Sequence, residues 1–119
     1  MHHIEEIADR IRLTFDARTA ARERALSQTR TLIRYCANAI RAVHPEEREL
    51  ALENLAQAET LVTTLHIELA EYPDLYYTGY TQDALKEFAE ANIVYSLVLD
   101  DTLPDPEQLA LEHATYLRG

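Results

Sequence analysis

The sequence predicts an all-α fold: an antiparallel helical bundle of about four helices, with a very long first helix and no sheet. Three observations carry that expectation. Apolar residues recur at helical spacing over residues 4–44, with neither Pro nor Gly among them. The helix breakers are gathered at a few points, "HPEERE", "YPD" and "DDTLPDPEQ". The chain is rich in Ala, Leu, Glu and Arg and has only two Gly, a composition suited to helices and poor in turns.

The first helix is expected over residues 4–44, on the order of 60 Å long. Ile4, Ile7, Ile11, Phe15, Leu26, Ile33, Cys36, Ile40 and Val43 mark its apolar face. Its middle, "DARTAARERA", is weakly apolar, so a kink is expected there. Pro45 suits the first turn of a second helix, and the acids behind it suit the positive end of a helix dipole. That helix runs to about residue 72 and is expected to bury Leu50, Leu55, Ala58, Leu61, Val62, Leu65 and Leu69. After "YPD" a third helix is expected over about 75–99. Its second half, "ANIVYSLVL", is apolar nearly all round and reads as buried. A loop then leads to a short fourth helix from about residue 106.

A chain of 119 residues is expected to form a single domain, 1–119. No apolar run approaches the roughly 18 residues of a membrane span, so no membrane partner is expected. Cys36 is the only cysteine, which rules out an internal disulfide and fits a reducing cytoplasm. It lies on the apolar face and reads as core. The five histidines form no ligand set. There is no Glu-x-x-His pair, no phosphate-cradling Gly-rich loop and no zinc-spaced Cys or His cluster.

The net charge of −10 is unevenly spread. Residues 1–44 carry eight arginines against five acids, whereas the remainder carries three basic residues against sixteen acids. An acidic chain repels nucleic acid on average, yet one arginine-rich element can still bind it. Arg12, Arg30, Arg34 and Arg41 share one stripe of the first helix, because their spacings return near whole turns. Such a row can track a phosphate backbone, or it can form surface salt bridges with Asp16 and Glu23. Tyr72, Tyr76, Tyr77 and Tyr80 cluster beside the second break, as base platforms or as packing at the core rim.

In "YTQDALKEFAEA", Asp83, Glu87 and Glu90 lie within about 60° of one another on a helix. A hard cation such as Mg²⁺ takes a few carboxylate oxygens plus waters and activates water for phosphodiester cleavage. The same spacing also describes a solvated helix face. The stripe continues into Tyr76, Tyr80 and Val94 rather than into further charges.

"ARERALSQTRTLIRYCANAIRAVH", "LYYTGYTQDALKEFAEANIVYSLV", "LPDPEQL" and "YLRG" together resemble the translin family, particularly its prokaryotic members. The resemblance runs over essentially the whole chain, and its most specific part is Gly79, Gln82, Asp83, Glu87, Glu90 and Ala91. It implies an all-α homo-oligomer, closed and barrel-like, that binds single-stranded RNA or DNA. The branch of translin-associated factor X implies a Mg²⁺-dependent endoribonuclease. In that branch Glu87 and Glu90 correspond to metal-binding catalytic carboxylates, and Asp83 joins them by spacing alone. Arg34 matches a basic nucleic-acid-binding position, and Arg30 and Arg41 flank it on the same stripe. Thr78, Tyr80 and Gln82 replace the basic cluster of translin, which leans toward the nuclease branch. The resemblance also implies a fold that continues past residue 119, with helices supplying the remaining catalytic acids. The alternative is a non-catalytic helical module for interaction or oligomerisation.

Overall fold

The structure, a computed structural model, describes residues 2–100. The fourth helix expected from about residue 106 lies outside the described residues. Those residues form an all-α arrangement with no strand. Its elements are α1 (His2–Arg41), a 3₁₀ turn (Pro45–Glu47), α2 (Arg48–Glu68), a short α3 (Pro73–Tyr76), α4 (Gly79–Tyr95) and a π turn (Ser96–Asp100).

α1 is unbroken through "DARTAARERA", so the expected kink is absent. Alanine is the best helix former, and Ala21 and Ala25 are buried against the other helices. Weak apolarity there reflects a close contact made with small side chains. The helix ends where proline dictates. His44 is extended (φ −141°, ψ 148°), as the residue before Pro45 must be to avoid the proline ring. Its amide donates to the Ala42 carbonyl at 2.8 Å, closing the last turn.

α2 returns antiparallel to α1. Glu46, Glu47 and Glu49 stand at its start, where negative charge opposes the helix dipole favourably. It ends at Glu68, earlier than the sequence suggests. Pro73 then opens α3, which the sequence reading had merged with the following helix. A compact set of bonds turns α3 into α4. The Thr78 hydroxyl donates to the Leu75 carbonyl at 2.7 Å, the Thr81 hydroxyl donates to the same carbonyl at 3.1 Å, and the Gln82 amide donates to the Tyr76 carbonyl at 2.9 Å. Gly79 begins α4, and a Cβ placed there would meet no atom within 4 Å.

α1 packs against both α2 and α4, which touch each other far less. The seam on α1 is Ala21, Ala25, Thr29, Leu32, Cys36, Ala39 and Ala42. It lies about 70° round the helix from the face that the large apolar residues mark. Ile33 is therefore exposed, and Leu26, Ile40 and Val43 are only half-buried, while Ile4, Ile7, Ile11 and Phe15 are exposed with all of residues 3–18. On α2, Leu55, Ala58, Val62 and Leu65 are buried as expected, with Leu69 just after its end, while Leu50 is exposed. The end of α4 also differs from its apolar reading. Ala91 and Tyr95 are buried, but Leu97 and Val98 of the π turn that follows are exposed, because among the described residues this stretch packs chiefly on α1. The π turn is held by Arg48, which donates to the Leu99 carbonyl at 2.6 Å and to Asp100 at 3.0 Å.

The structure extends over 69 × 26 × 18 Å. α2 is only about 30 Å long, so the first turns of α1 project beyond the bundle. Arg18 marks the junction, binding the Asp74 carboxylate of α3 through two guanidinium nitrogens. That hydrogen bond holds Asp74 below the usual carboxylate range.

Two substitutions test this packing by chemical denaturation. Leu65→Ala removes a side chain with no solvent exposure and should cost about 2–5 kcal/mol. Gly79→Ala should keep the fold and add roughly 0.5 kcal/mol by restricting the unfolded chain; a loss of stability would show that the position needs glycine.

Candidate nucleic-acid interface

Arg30, Arg34 and Arg41 are exposed on α1 and lie within about 40° of one another round the helix. Their stripe is on the side opposite the buried seam, so it points away from α2 and α4. Four ion pairs occur among the described residues: Arg12–Asp9, Arg18–Asp74, Arg24–Glu68 and Arg48–Asp100. None involves Arg30, Arg34 or Arg41, and the salt bridges expected with Asp16 and Glu23 are not formed. Arg12 shares the stripe but is taken up by Asp9 at 2.9 Å.

The three arginines of this stripe are not equivalent. Arg41 donates to the Asn38 side chain and shares a shallow groove with Glu47, Leu50 and Asn54. A neighbouring groove is lined by Glu46, Glu47, Glu49 and Glu53. Phosphate would be repelled at that end of the bundle. Arg30 and Arg34, one turn apart and clear of those acids, are the stronger anion site.

The carboxylates of α4 divide differently. The buried side of α4 is Thr81, Ala84, Leu85, Ala91 and Tyr95. Asp83 and Glu90 lie well round the helix from it and are exposed, whereas Glu87 is at its flank and half-buried. Glu87 faces Cys36 of α1. Burial chiefly, and the Glu87 charge in second place, push the Cys36 thiol up to about 12. A thiol so raised stays protonated and unreactive near neutrality, which agrees with Cys36 as a core residue.

Mg²⁺ is commonly held by one or two carboxylates, with waters or phosphate oxygens completing its shell. Among the described residues no group of three His, Cys, Asp or Glu side chains could hold a metal ion. Asp83, Glu87 and Glu90 share a stripe without forming such a group. Lys86, which the sequence reading passed over, is exposed on the same side, three residues from Asp83 and four from Glu90, and opposes a cation there. The arginines and carboxylates are also kept apart. Cys36, which faces Glu87, lies about 160° round α1 from Arg34.

The tyrosines are mainly packing. Tyr76 is buried and meets Tyr77 edge-on at 5.4 Å and His66 at 6.0 Å. Tyr72 and Tyr80 are half-buried beside Arg18. Of these four tyrosines Tyr77, 53% exposed, is the one largely open to solvent. The pairing of Arg24 with Glu68 was not legible from spacing within one helix, because it depends on how α2 returns along α1.

No helix among the described residues is long and apolar enough to cross a membrane. No family model, no curated protein and no solved structure matches the chain.

The raised thiol sets a pH dependence. The unfolded thiol releases its proton near 9, whereas the folded one holds it to about 12. Stability should therefore fall as pH rises above about 9, because the unfolded state binds fewer protons there. Denaturation of Cys36→Ala beside the native chain between pH 8 and 11 checks this; the variant should lose less stability across that range.

Proposed function

We propose that the chain is a translin-like protein that binds single-stranded RNA or DNA through the outward arginines of α1. Arg30 and Arg34 make the phosphate contacts, and Arg41, two turns further along the same stripe, is set against the acids beside it. One observation carries this reading. In a chain of net charge −10, two exposed arginines one turn apart have no acidic partner among the described residues. Guanidinium groups suit phosphate because they donate several hydrogen bonds from a rigid fork.

Binding of this kind is electrostatic and tolerant of sequence, since phosphate contacts position a strand without reading its bases. It is weak for a single chain with two contacts, and gains strength when several copies present their rows together. Endoribonuclease activity has no comparable support. Among the described residues no group of three or more His, Cys, Asp or Glu is placed to hold a metal ion, and no cleavage step is derived from Asp83, Glu87 and Glu90.

Fluorescence anisotropy with labelled single-stranded RNA across a salt series tests the proposal. Each phosphate contact contributes about 0.7 to the slope of log affinity against log salt for a single strand. Arg30→Ala and Arg34→Ala should each lower that slope by about this amount, with binding weakened roughly fivefold or more. Arg24→Ala, which removes a residue paired with Glu68 at 4.0 Å, should leave the slope unchanged. Equal losses from all three, or no salt dependence at all, would overturn the assignment.

A further inference from the structure

The outward stripe of α1 changes sign along its length. Asp16 and Glu23 lie on it with Arg30, Arg34 and Arg41, all within about 40° of one another round the helix. All five are exposed. Asp16 and Glu23 enter none of the ion pairs among the described residues. Glu23 comes two turns before Arg30, about 10 Å along the axis. The cations next to it in sequence point elsewhere. Arg22 is about 100° round the helix from Glu23, and Arg24, on the other flank, is turned to Glu68 at 4.0 Å.

The other end of the row is closed as well. Arg41 shares its groove with Glu47, and Glu46, Glu49 and Glu53 line the groove beside it. The positive part of the stripe is therefore a window two arginines wide. Carboxylates bound it along the axis in both directions, whereas its flanks on α1, Ser27, Thr31, Ile33, Ala37 and Asn38, carry no charge.

A window of this shape sets how a strand can lie. A strand laid lengthwise, with phosphates on Arg30 and Arg34, repeats the roughly 6 Å step between them. Its next phosphate toward the start of α1 comes within about 5 Å of the level of Glu23. That is inside the screening length of about 10 Å at 0.1 M salt, so phosphate and carboxylate repel each other there. A strand that crosses the helix meets both arginines and leaves over uncharged flanks.

We infer that Glu23 ends the phosphate row, so that a single strand crosses α1 over Arg30 and Arg34 and does not run along it. Each chain then contacts two phosphates, whatever the length of the strand. The inference rests on the binding proposed above and deepens it, by fixing the path of the strand and the number of phosphates it presents.

A chain carrying a dye on its N-terminal amine, titrated with excess unlabelled single-stranded RNA across a salt series, tests the path. Strands of about 5 and about 20 nucleotides bracket the usual span of a single-strand site. The native chain should give a slope of about 1.4 with both, the value for two contacts. Glu23→Arg should raise the slope with the longer strand by about 0.7 and tighten binding roughly fivefold. Glu6→Arg makes the same change in net charge about 36 Å along α1 from Arg30 and should change neither. Circular dichroism should show equal helicity in all three chains.

A native slope that climbs with strand length would overturn the inference, because the strand would then run past Glu23. So would a Glu23→Arg chain that matches the native one, or a Glu6→Arg chain that gains as much. Those failures leave the arginine site standing as long as Arg34→Ala still lowers the slope. A native chain with no salt-dependent binding would remove that site, and this inference with it.

Discussion

Every other element is placed by the continuity of α1. α2 and α4 both lie on α1 and scarcely support each other, so its straight run fixes the bundle. That run depends on an alanine seam. Ala21, Ala25, Ala39 and Ala42 meet Ala51 and Ala58 of α2 and Ala84 and Ala91 of α4 in one buried cluster. Small side chains let helix axes approach toward the short end of the usual 8–10 Å. Leu32, Leu55, Leu65 and Leu85 then fill the spaces between. A larger residue in that seam would have to displace a whole helix, because a close-packed interior has little room to yield.

The same seam explains what was legible in the sequence. The turns were readable because Pro45 and Pro73 impose their geometry locally, whatever lies around them. The core face of α1 was not, because size misled: Ile33 and Ile40 look like core residues, while Ala21 and Ala25 do not. Hydrophobic periodicity weighs large side chains most and is nearly blind to close contacts made by small ones. The merging of α3 with α4 has a related cause. The junction is made by Thr78, Thr81 and Gln82 bonding back to carbonyls of α3, and such bonds leave little mark on an apolar pattern.

For the candidate site, helical spacing placed Arg30, Arg34 and Arg41 together, and the structure keeps them so. It could not tell whether they were paired, because Arg18 and Arg24 of the same helix find their acids on α3 and α2 respectively. The carboxylates show the complementary limit. Spacing aligned Asp83, Glu87 and Glu90, but the half-burial of Glu87 beside Cys36 arises only once α4 lies on α1. The family resemblance supplied the nucleic-acid expectation, which helical spacing alone does not carry.

An unbroken helix also makes its projecting first turns and the bundle share one angular reference. Each residue between them rotates the apolar face of that end by 100° and lifts it by 1.5 Å. A single residue inserted near Thr19 would leave both folded yet swing Ile4, Ile7, Ile11 and Phe15 to another side. Seven residues would bring the face back to within about 20° while carrying it roughly 10 Å outward. The length of that short stretch thus behaves as a dial, and only certain settings aim that face as it stands here.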